Sequence, residues 1–117
     1  MRRVKPIYYA SDYPEVPDAT MQKDIQDLFD HLCPGDPKPP VHEGYAALAQ
    51  SPRLALNIAK LADYIVRDMP WSQQRDLREL SVQALNLHFK CDFSFQSHLE
   101  YGQANGLSLE QQATIPY

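Results

Sequence analysis

The chain has 117 residues, a formal net charge of −4 and a pI near 5.4, which is enough for one small domain with a core. Its lysines and arginines are few and scattered, so we expect no nucleic-acid surface, and no apolar run approaches the roughly 18–20 residues of a membrane span. No signal peptide is visible, and the two cysteines, Cys33 and Cys91, form no disulfide framework, so we expect a reduced, cytoplasmic protein.

Residues 1–17 are predicted to form an extended arm. Prolines at positions 6, 14 and 17 exclude a helix, while Ile7 and three tyrosines are too apolar for a free tail. We interpret this segment as an arm that lies on the domain or on a neighbouring subunit, with a loosely ordered terminus as the alternative. Residues 18–117 are predicted to form a single helical domain.

Helical signals follow one another along residues 18–70. Asp18 or Thr20 can cap a first helix that runs to about Cys33. A short helix is predicted between Val41 and Gln50, and Ser51-Pro52 is typical of the start of another. That third helix is expected to close at residues 68–70. Its apolar stripe consists of Leu54, Ile58, Leu61 and Ile65, and Ala55, Ala59, Ala62 and Val66 lie beside it, so we expect burial on more than one side.

The last third of the chain predicts three more helices. Ser72 is expected to cap the first of them, whose core stripe would be Leu77, Leu80, Ala84 and Leu85. The next begins near Cys91 or Asp92 and ends at residues 104–105, where Gly106 accepts a left-handed backbone. Residues 108–111 read as a capping box for a final short helix. Because no stretch alternates cleanly with a two-residue period, we expect an all-α protein of five or six helices.

Three residues in the segment 79–98 have side chains that could move protons or electrons. Cys91 is predicted at a helix start, where unpaired N–H groups favour a thiolate. His98 lies two turns further along the same face, and Ser94 shares that face. Glu79, beside core leucines on the preceding helix, is expected to be partly buried and able to exchange protons. The spacing of glutamate, cysteine and histidine therefore predicts a catalytic site.

Each of the three residues also has an ordinary structural interpretation. A lone cysteine is usually a buried apolar residue, a lone histidine is usually structural or solvated, and a lone helical glutamate is usually on the surface. His88, Cys91 and His98 could also form a zinc site, but their spacing is not a common zinc pattern and no fourth ligand is evident. We therefore expect no metal site.

The segment 75–111, RDLRELSVQALNLHFKCDFSFQSHLEYGQANGLSLEQ, resembles the core motif of the carboxymuconolactone decarboxylase and alkylhydroperoxidase D superfamily. The matching features are Arg78-Glu79-Leu80, Cys91, His98, Ala104 and Gly106-Leu107-Ser108. Residues 51–54 and 69–70 also match helix borders that are common in that family. The likeness covers roughly residues 41–113.

This resemblance implies an alkylhydroperoxidase D-like helical bundle, assembled as a homotrimer or homohexamer, with Glu79, Cys91 and His98 as catalytic residues. In the peroxidase branch, a second cysteine three residues after the first completes a disulfide, but here Ser94 occupies that place. In the decarboxylase branch, histidine and polar groups handle protons without a cofactor as a lactone loses carbon dioxide. Family domains usually continue beyond the final capping box, so the last helix is expected to be short or completed elsewhere.

Three functions remain open from the sequence. The first is a decarboxylase-like enzyme that acts on a small anionic carbonyl or lactone metabolite. Glu79 and His98 would exchange protons, Ser94 would add a hydrogen bond, and Arg78 would hold a substrate carboxylate or form a structural ion pair. The second is a thiol peroxidase that uses Cys91, with Cys33 as a resolving thiol only if folding brings it close. The third is a non-catalytic subunit or binding module.

Overall fold

The computed structural model describes residues 4–15 and 18–115, and the regular secondary structure of these residues is entirely helical. They contain no strand, which confirms the predicted all-α class with five or six helices. No helix within these ranges is long and apolar enough to cross a membrane. The six α-helices are α1 (Ala19–Leu32), α2 (Glu43–Ala46), α3 (Pro52–Asp63), α4 (Arg75–His88), α5 (Asp92–Ala104) and α6 (Leu109–Thr114).

The chain divides into two compact units, one ending at Asp63 and the other beginning at Tyr64. The first unit holds α1–α3, and the second holds α4–α6. A π-helical turn, Tyr64–Asp68, and a 3-10 turn, Pro70–Gln73, open the second unit. The predicted division into an arm at 1–17 and one domain at 18–117 stays a prediction.

The first unit is built around α1, whose ends match the sequence prediction. The Asp18 carboxylate accepts a hydrogen bond from the Met21 N–H at 2.8 Å, and the Cys33 N–H closes the helix on the Phe29 carbonyl at 2.9 Å. Because an N-cap satisfies an otherwise unpaired N–H, it fixes where the helix starts. The core that α1 shares with its neighbours includes Ile7, Ile25, Leu28, Phe29, Cys33, Val41, Ala49, Ala55 and Leu56.

The described part of the predicted arm packs on the first unit. Ile7 is 1% exposed and its N–H donates to the Ala46 carbonyl at 2.8 Å. The Tyr13 hydroxyl donates to the Ala49 carbonyl, and burial raises the pKa of Tyr13 to about 12. Between positions 4 and 15 the chain thus packs on the first unit, and it includes a 3-10 turn at Ala10–Asp12. Positions 1–3 and 16–17 of the predicted arm lie outside the described residues.

The buried face of α3 differs from the predicted stripe. Leu54 and Leu61 are 52% and 58% exposed, whereas Ala55, Leu56 and Ala59 are buried. Small alanine side chains let another helix approach closely, and α1 is the element that packs most extensively on α3. The predicted closure at residues 68–70 agrees with the structure, since a π-helical turn follows the α-helix directly after Asp63 and ends at Asp68.

The start of α4 corrects another prediction. Ser72 does not cap this helix but lies fully buried in the preceding 3-10 turn, and Gln74 is at the N-cap position. The Ser72 hydroxyl is within hydrogen-bonding distance of the Met69 carbonyl at 2.7 Å and the Val66 carbonyl at 3.2 Å. Serine bonds nearby carbonyls as readily as N–H groups, so its presence before a helix did not settle its role.

The buried face of α4 is polar, which is the largest departure from the sequence prediction. The residues expected in the core, Leu77, Leu80, Ala84 and Leu85, are exposed, with Leu85 at 57%. Arg78, Glu79, Gln83 and Asn86 are buried instead. Every buried side-chain nitrogen and oxygen in the described residues has a hydrogen-bond partner. Burial of these groups is tolerated because their bonds replace those lost to water.

The ends of α4 and α5 share one type of turn. Lys90 has φ 55° and Gly106 has φ 95°. After each helix, one N–H bonds a carbonyl five residues back, as Cys91 does with Asn86 at 2.7 Å and Leu107 does with Gly102 at 2.8 Å. These are Schellman motifs, and Gly106 is at the predicted position. The predicted capping box of α6 is also confirmed, with Ser108 and Gln111 bonded reciprocally.

Candidate functional site

The second unit brings Glu79 and His98 into direct contact. Glu79 lies in the first half of α4, His98 lies in the middle of α5, and these two helices pack on each other. The Glu79 Oε2 and His98 Nδ1 atoms are 3.0 Å apart. The glutamate side chain is 5% exposed and the histidine side chain is 33% exposed. The pair therefore joins a buried carboxylate to an imidazole that solutes can reach.

The contact assigns a donor and an acceptor to the histidine ring. An ionised carboxylate can only accept hydrogen bonds, so beside an ionised Glu79 the Nδ1 atom carries the proton and donates a hydrogen bond to Oε2. The Nε2 atom then keeps a lone pair. The ring also packs against Tyr101, with centroids 5.6 Å apart and planes tilted by 43°. This geometry provides an oriented imidazole whose second nitrogen can accept a proton.

Arg78 contacts the other oxygen of the same carboxylate. Its Nε atom lies 3.2 Å from Glu79 Oε1, and the two side chains are only 10% and 5% exposed. Its Nη1 atom donates to the Val66 carbonyl at 3.2 Å and the Ser72 carbonyl at 3.4 Å. Of the two roles predicted for Arg78, the structural ion pair is the one for which the structure gives contacts.

Cys91 is exposed and separate from this hydrogen-bonded group. It occupies the N-cap position of α5, and its Sγ atom lies 3.8 Å from the Phe89 carbonyl oxygen. Within the described residues, its sulfur makes no hydrogen bond to Glu79 or His98. The predicted placement at a helix start is therefore observed. However, Cys91 precedes the first residue of α5, so helical periodicity does not set the direction of its side chain relative to His98.

Ser94 and Cys33 complete the set of residues that the sequence singled out. Ser94 is half-buried on α5, and its hydroxyl makes no hydrogen bond within residues 4–15 and 18–115. Cys33 is 1% exposed in the core of the first unit, and burial raises the pKa of its thiol. Both cysteines are free.

A chain of buried amides extends behind the carboxylate. Asn86 Nδ2 donates to Gln83 Oε1 at 3.1 Å, and Gln83 Nε2 donates to Gln112 Oε1 at 2.8 Å. Gln112 Nε2 in turn donates to the Leu99 carbonyl at 3.1 Å and the Leu107 carbonyl at 3.3 Å. The positions 79, 83 and 86 share one face of α4, which is the signal that could have indicated a polar interior. Nothing local to Gln112 indicated that it would join them.

The described residues contain no group of three or more His, Cys, Asp or Glu side chains that could hold a metal ion. His88, Cys91 and His98, which the sequence offered as a zinc set, do not form one. The candidate site is thus an arginine–glutamate–histidine array on two packed helices of an all-α protein.

Comparison with known proteins adds no relative to this description. Neither protein-family models, nor curated proteins, nor solved structures give a match to the chain. The resemblance to the carboxymuconolactone decarboxylase and alkylhydroperoxidase D superfamily therefore stays a prediction.

Proposed function

We propose that this protein is a cofactor-independent acid–base enzyme of the carboxymuconolactone decarboxylase type, in which the Glu79–His98 pair transfers protons. The observation that supports this most is the 3.0 Å contact between the buried Glu79 Oε2 and the partly exposed His98 Nδ1. A carboxylate in this position holds an imidazole in one tautomer and stabilises the imidazolium formed during proton transfer. The proposed substrate is a small anionic carbonyl or lactone metabolite, as the resemblance implies.

The proposed reaction requires only that a proton be taken up and returned at one nitrogen. When a carboxylate bound to the carbon next to a carbonyl leaves as carbon dioxide, the electrons of the broken carbon–carbon bond move into an enolate. The His98 Nε2 atom, which has first taken up a proton from solvent, then donates that proton to the enolate carbon, and the ring returns to its neutral Nδ1–H form. Glu79 compensates the positive charge of the ring while it is protonated, and Cys91 and Ser94 are proposed to contribute polar contacts to the substrate.

Substitution of the pair tests this proposal. With a carboxylated lactone as the probe, E79Q and H98A should each lower kcat/KM by about 100-fold or more, since positioned acid–base groups contribute roughly 10²–10⁴-fold. The reaction is followed by carbon dioxide release, and circular dichroism checks that each variant is folded. Two exposed residues supply matched controls, E100Q on α5 and H88A on α4, and both should retain wild-type activity. Full activity in folded E79Q and H98A would remove the pair from the mechanism.

A thiol peroxidase is the second candidate, and the exposure of Cys91 at the N-cap of α5 favours it. In this reaction the thiolate attacks a peroxide oxygen, the O–O bond breaks, and an alkoxide leaves with the bonding electrons. The resulting sulfenic acid needs an external low-molecular-weight thiol for reduction, because Ser94 replaces the resolving cysteine and Cys33 is buried. The candidate ranks second because the sulfur has no hydrogen bond to the histidine or the glutamate.

We also propose that the chain assembles as a homotrimer or homohexamer in the cytoplasm. The leucines at 77, 80 and 85 support self-association, because α4 presents them to solvent while it buries polar residues. The third possibility from the sequence is a non-catalytic subunit, which would form the same oligomer. In that case the wild type and every variant should be inactive in the lactone assay.

A further inference from the structure

Arg78 and Glu79 are consecutive residues whose side chains nevertheless meet. Neighbouring positions on a helix point about 100° apart, so their side chains do not normally face each other. Here the Arg78 guanidinium turns back and places Nε 3.2 Å from Glu79 Oε1. Both groups are nine-tenths or more buried. Such a contact needs a second anchor that holds the guanidinium in place.

That anchor is the backbone of the two turns that precede α4. The Arg78 Nη1 atom donates to the carbonyl of Val66 in the π-helical turn and to the carbonyl of Ser72 in the 3-10 turn. The Ser72 hydroxyl lies 3.2 Å from the same Val66 carbonyl. The guanidinium therefore spans from these turns to the carboxylate, and its planar geometry fixes one end relative to the other.

The two oxygens of Glu79 consequently have separate tasks. Oε1 contacts Arg78, and Oε2 contacts His98. The terminal torsion of a glutamate side chain is soft, and its carboxylate can rotate broadly. Because Arg78 fixes Oε1, the direction of Oε2 is fixed as well, and so is the nitrogen of His98 that carries the proton.

We infer that Arg78 is a positioning residue that acts through Glu79 to hold His98 in the Nδ1–H tautomer. This inference rests on the proposed function for its catalytic meaning, but its test does not require turnover. It also assigns Arg78 to the interior of the site rather than to a substrate carboxylate. The π-helical turn also contributes to this positioning, since its Val66 carbonyl is one of the groups that hold the Arg78 guanidinium.

Nitrogen-15 NMR of the histidine rings measures the tautomer directly, since protonated and unprotonated ring nitrogens give separate resonances. In the wild-type protein, His98 should show Nδ1–H with an unprotonated Nε2. In R78M the Nδ1–H preference should be lost and both tautomers should be populated. R75M is the matched control, because it makes the same substitution at an exposed arginine of α4 and leaves the Arg78–Glu79 contact, so its His98 signals should match the wild type. A folded R78M with wild-type His98 signals would overturn the inference.

A second measurement uses the wild-type protein alone and decides the question if R78M does not fold. The Arg78 Nε–H should exchange with solvent at least tenfold more slowly than the Nε–H of Arg75, which is exposed at the start of α4. Equal exchange rates would show that Arg78 is not held, and the inference would fail. If R78M loses the Nδ1–H preference of His98 but the wild-type protein is inactive in the lactone assay, only the proposed function is refuted. If the wild-type protein is active and R78M keeps the Nδ1–H tautomer of His98, only the positioning role of Arg78 is refuted.

Discussion

The two cysteines illustrate how burial separates residues of the same chemical type. Cys33 is enclosed by the apolar core of the first unit, and its thiol pKa is raised because that core disfavours a charged sulfur. Cys91 is exposed at the N-cap of α5, beside N–H groups that have no helical partner. Reaction with an electrophile requires both access and a thiolate, so only Cys91 meets the first requirement.

At the residue scale, we predict that a thiol reagent such as iodoacetamide modifies Cys91 and leaves Cys33 unmodified in the folded protein. Peptide mass spectrometry after a timed exposure at neutral pH measures both sites in one sample. The C91S variant should take up no label until urea unfolds it, when Cys33 should react. Rapid labelling of Cys33 in the folded protein would contradict its burial. Reaction of Cys91 with peroxide in the same assay would favour the peroxidase candidate, and an inert Cys91 would exclude it.

At the scale of single elements, the second unit depends on a buried glycine. A Cβ atom built at Gly102 on α5 would lie 2.8 Å from Gln112 Nε2 and 2.9 Å from its Oε1. The Gln112 amide is 1% exposed and already bonded to Gln83, Leu99 and Leu107. Since the amide has no free direction in which to move, a larger residue at 102 must break bonds that join α4, α5 and α6.

We therefore predict that G102A destabilises the protein, although alanine is normally the better helix residue. The usual gain of about 1 kcal/mol should be outweighed by buried hydrogen bonds that cost about 1–3 kcal/mol each when lost, so a net loss of about 1–2 kcal/mol is expected. Urea unfolding measures the free energy. G44A in α2 is the control, because its Cβ would make only ordinary contacts of 3.5 Å or more. A G102A protein as stable as the wild type would show that the amide chain adapts freely.

At the scale of the whole molecule, the exposed leucines of α4 bear on assembly. Leu77 is 49% exposed and Leu85 is 57% exposed on the helix that carries the candidate site. Neighbouring apolar side chains left in water favour association, because burial of their area gains roughly 25 cal/mol per Å². The proposed homo-oligomer would cover this face of α4.

We predict a solution mass of three or six times the 13.4 kDa of one chain, measured by light scattering after size exclusion. L77K should lower the mass, because a lysine cannot be buried in an apolar contact without losing its hydration. L54K on α3 introduces the same charge at a leucine of similar exposure, 52%, and should leave the mass unchanged. A wild-type mass of 13.4 kDa, or a mass that L77K does not alter, would contradict the proposed assembly.

The sequence by itself determined the features that depend on neighbouring residues. The helical class, the Asp18 cap of α1, the left-handed Gly106 and the Ser108–Gln111 capping box are confirmed, because each arises from hydrogen bonds within about five positions. The pairing of glutamate and histidine was also anticipated, and these residues do meet. Their catalytic role stays a prediction.

Only the tertiary structure decided which face of each helix is buried. The leucines of α4 satisfy a core pattern, yet its polar face is inside, because Gln83 finds its partner in Gln112, 29 residues away. The separation of the Cys91 sulfur from the pair likewise follows from its place at the N-cap, beyond the first helical residue. Helical periodicity specifies which side chains share a face, but burial is decided by partners that distant parts of the chain supply.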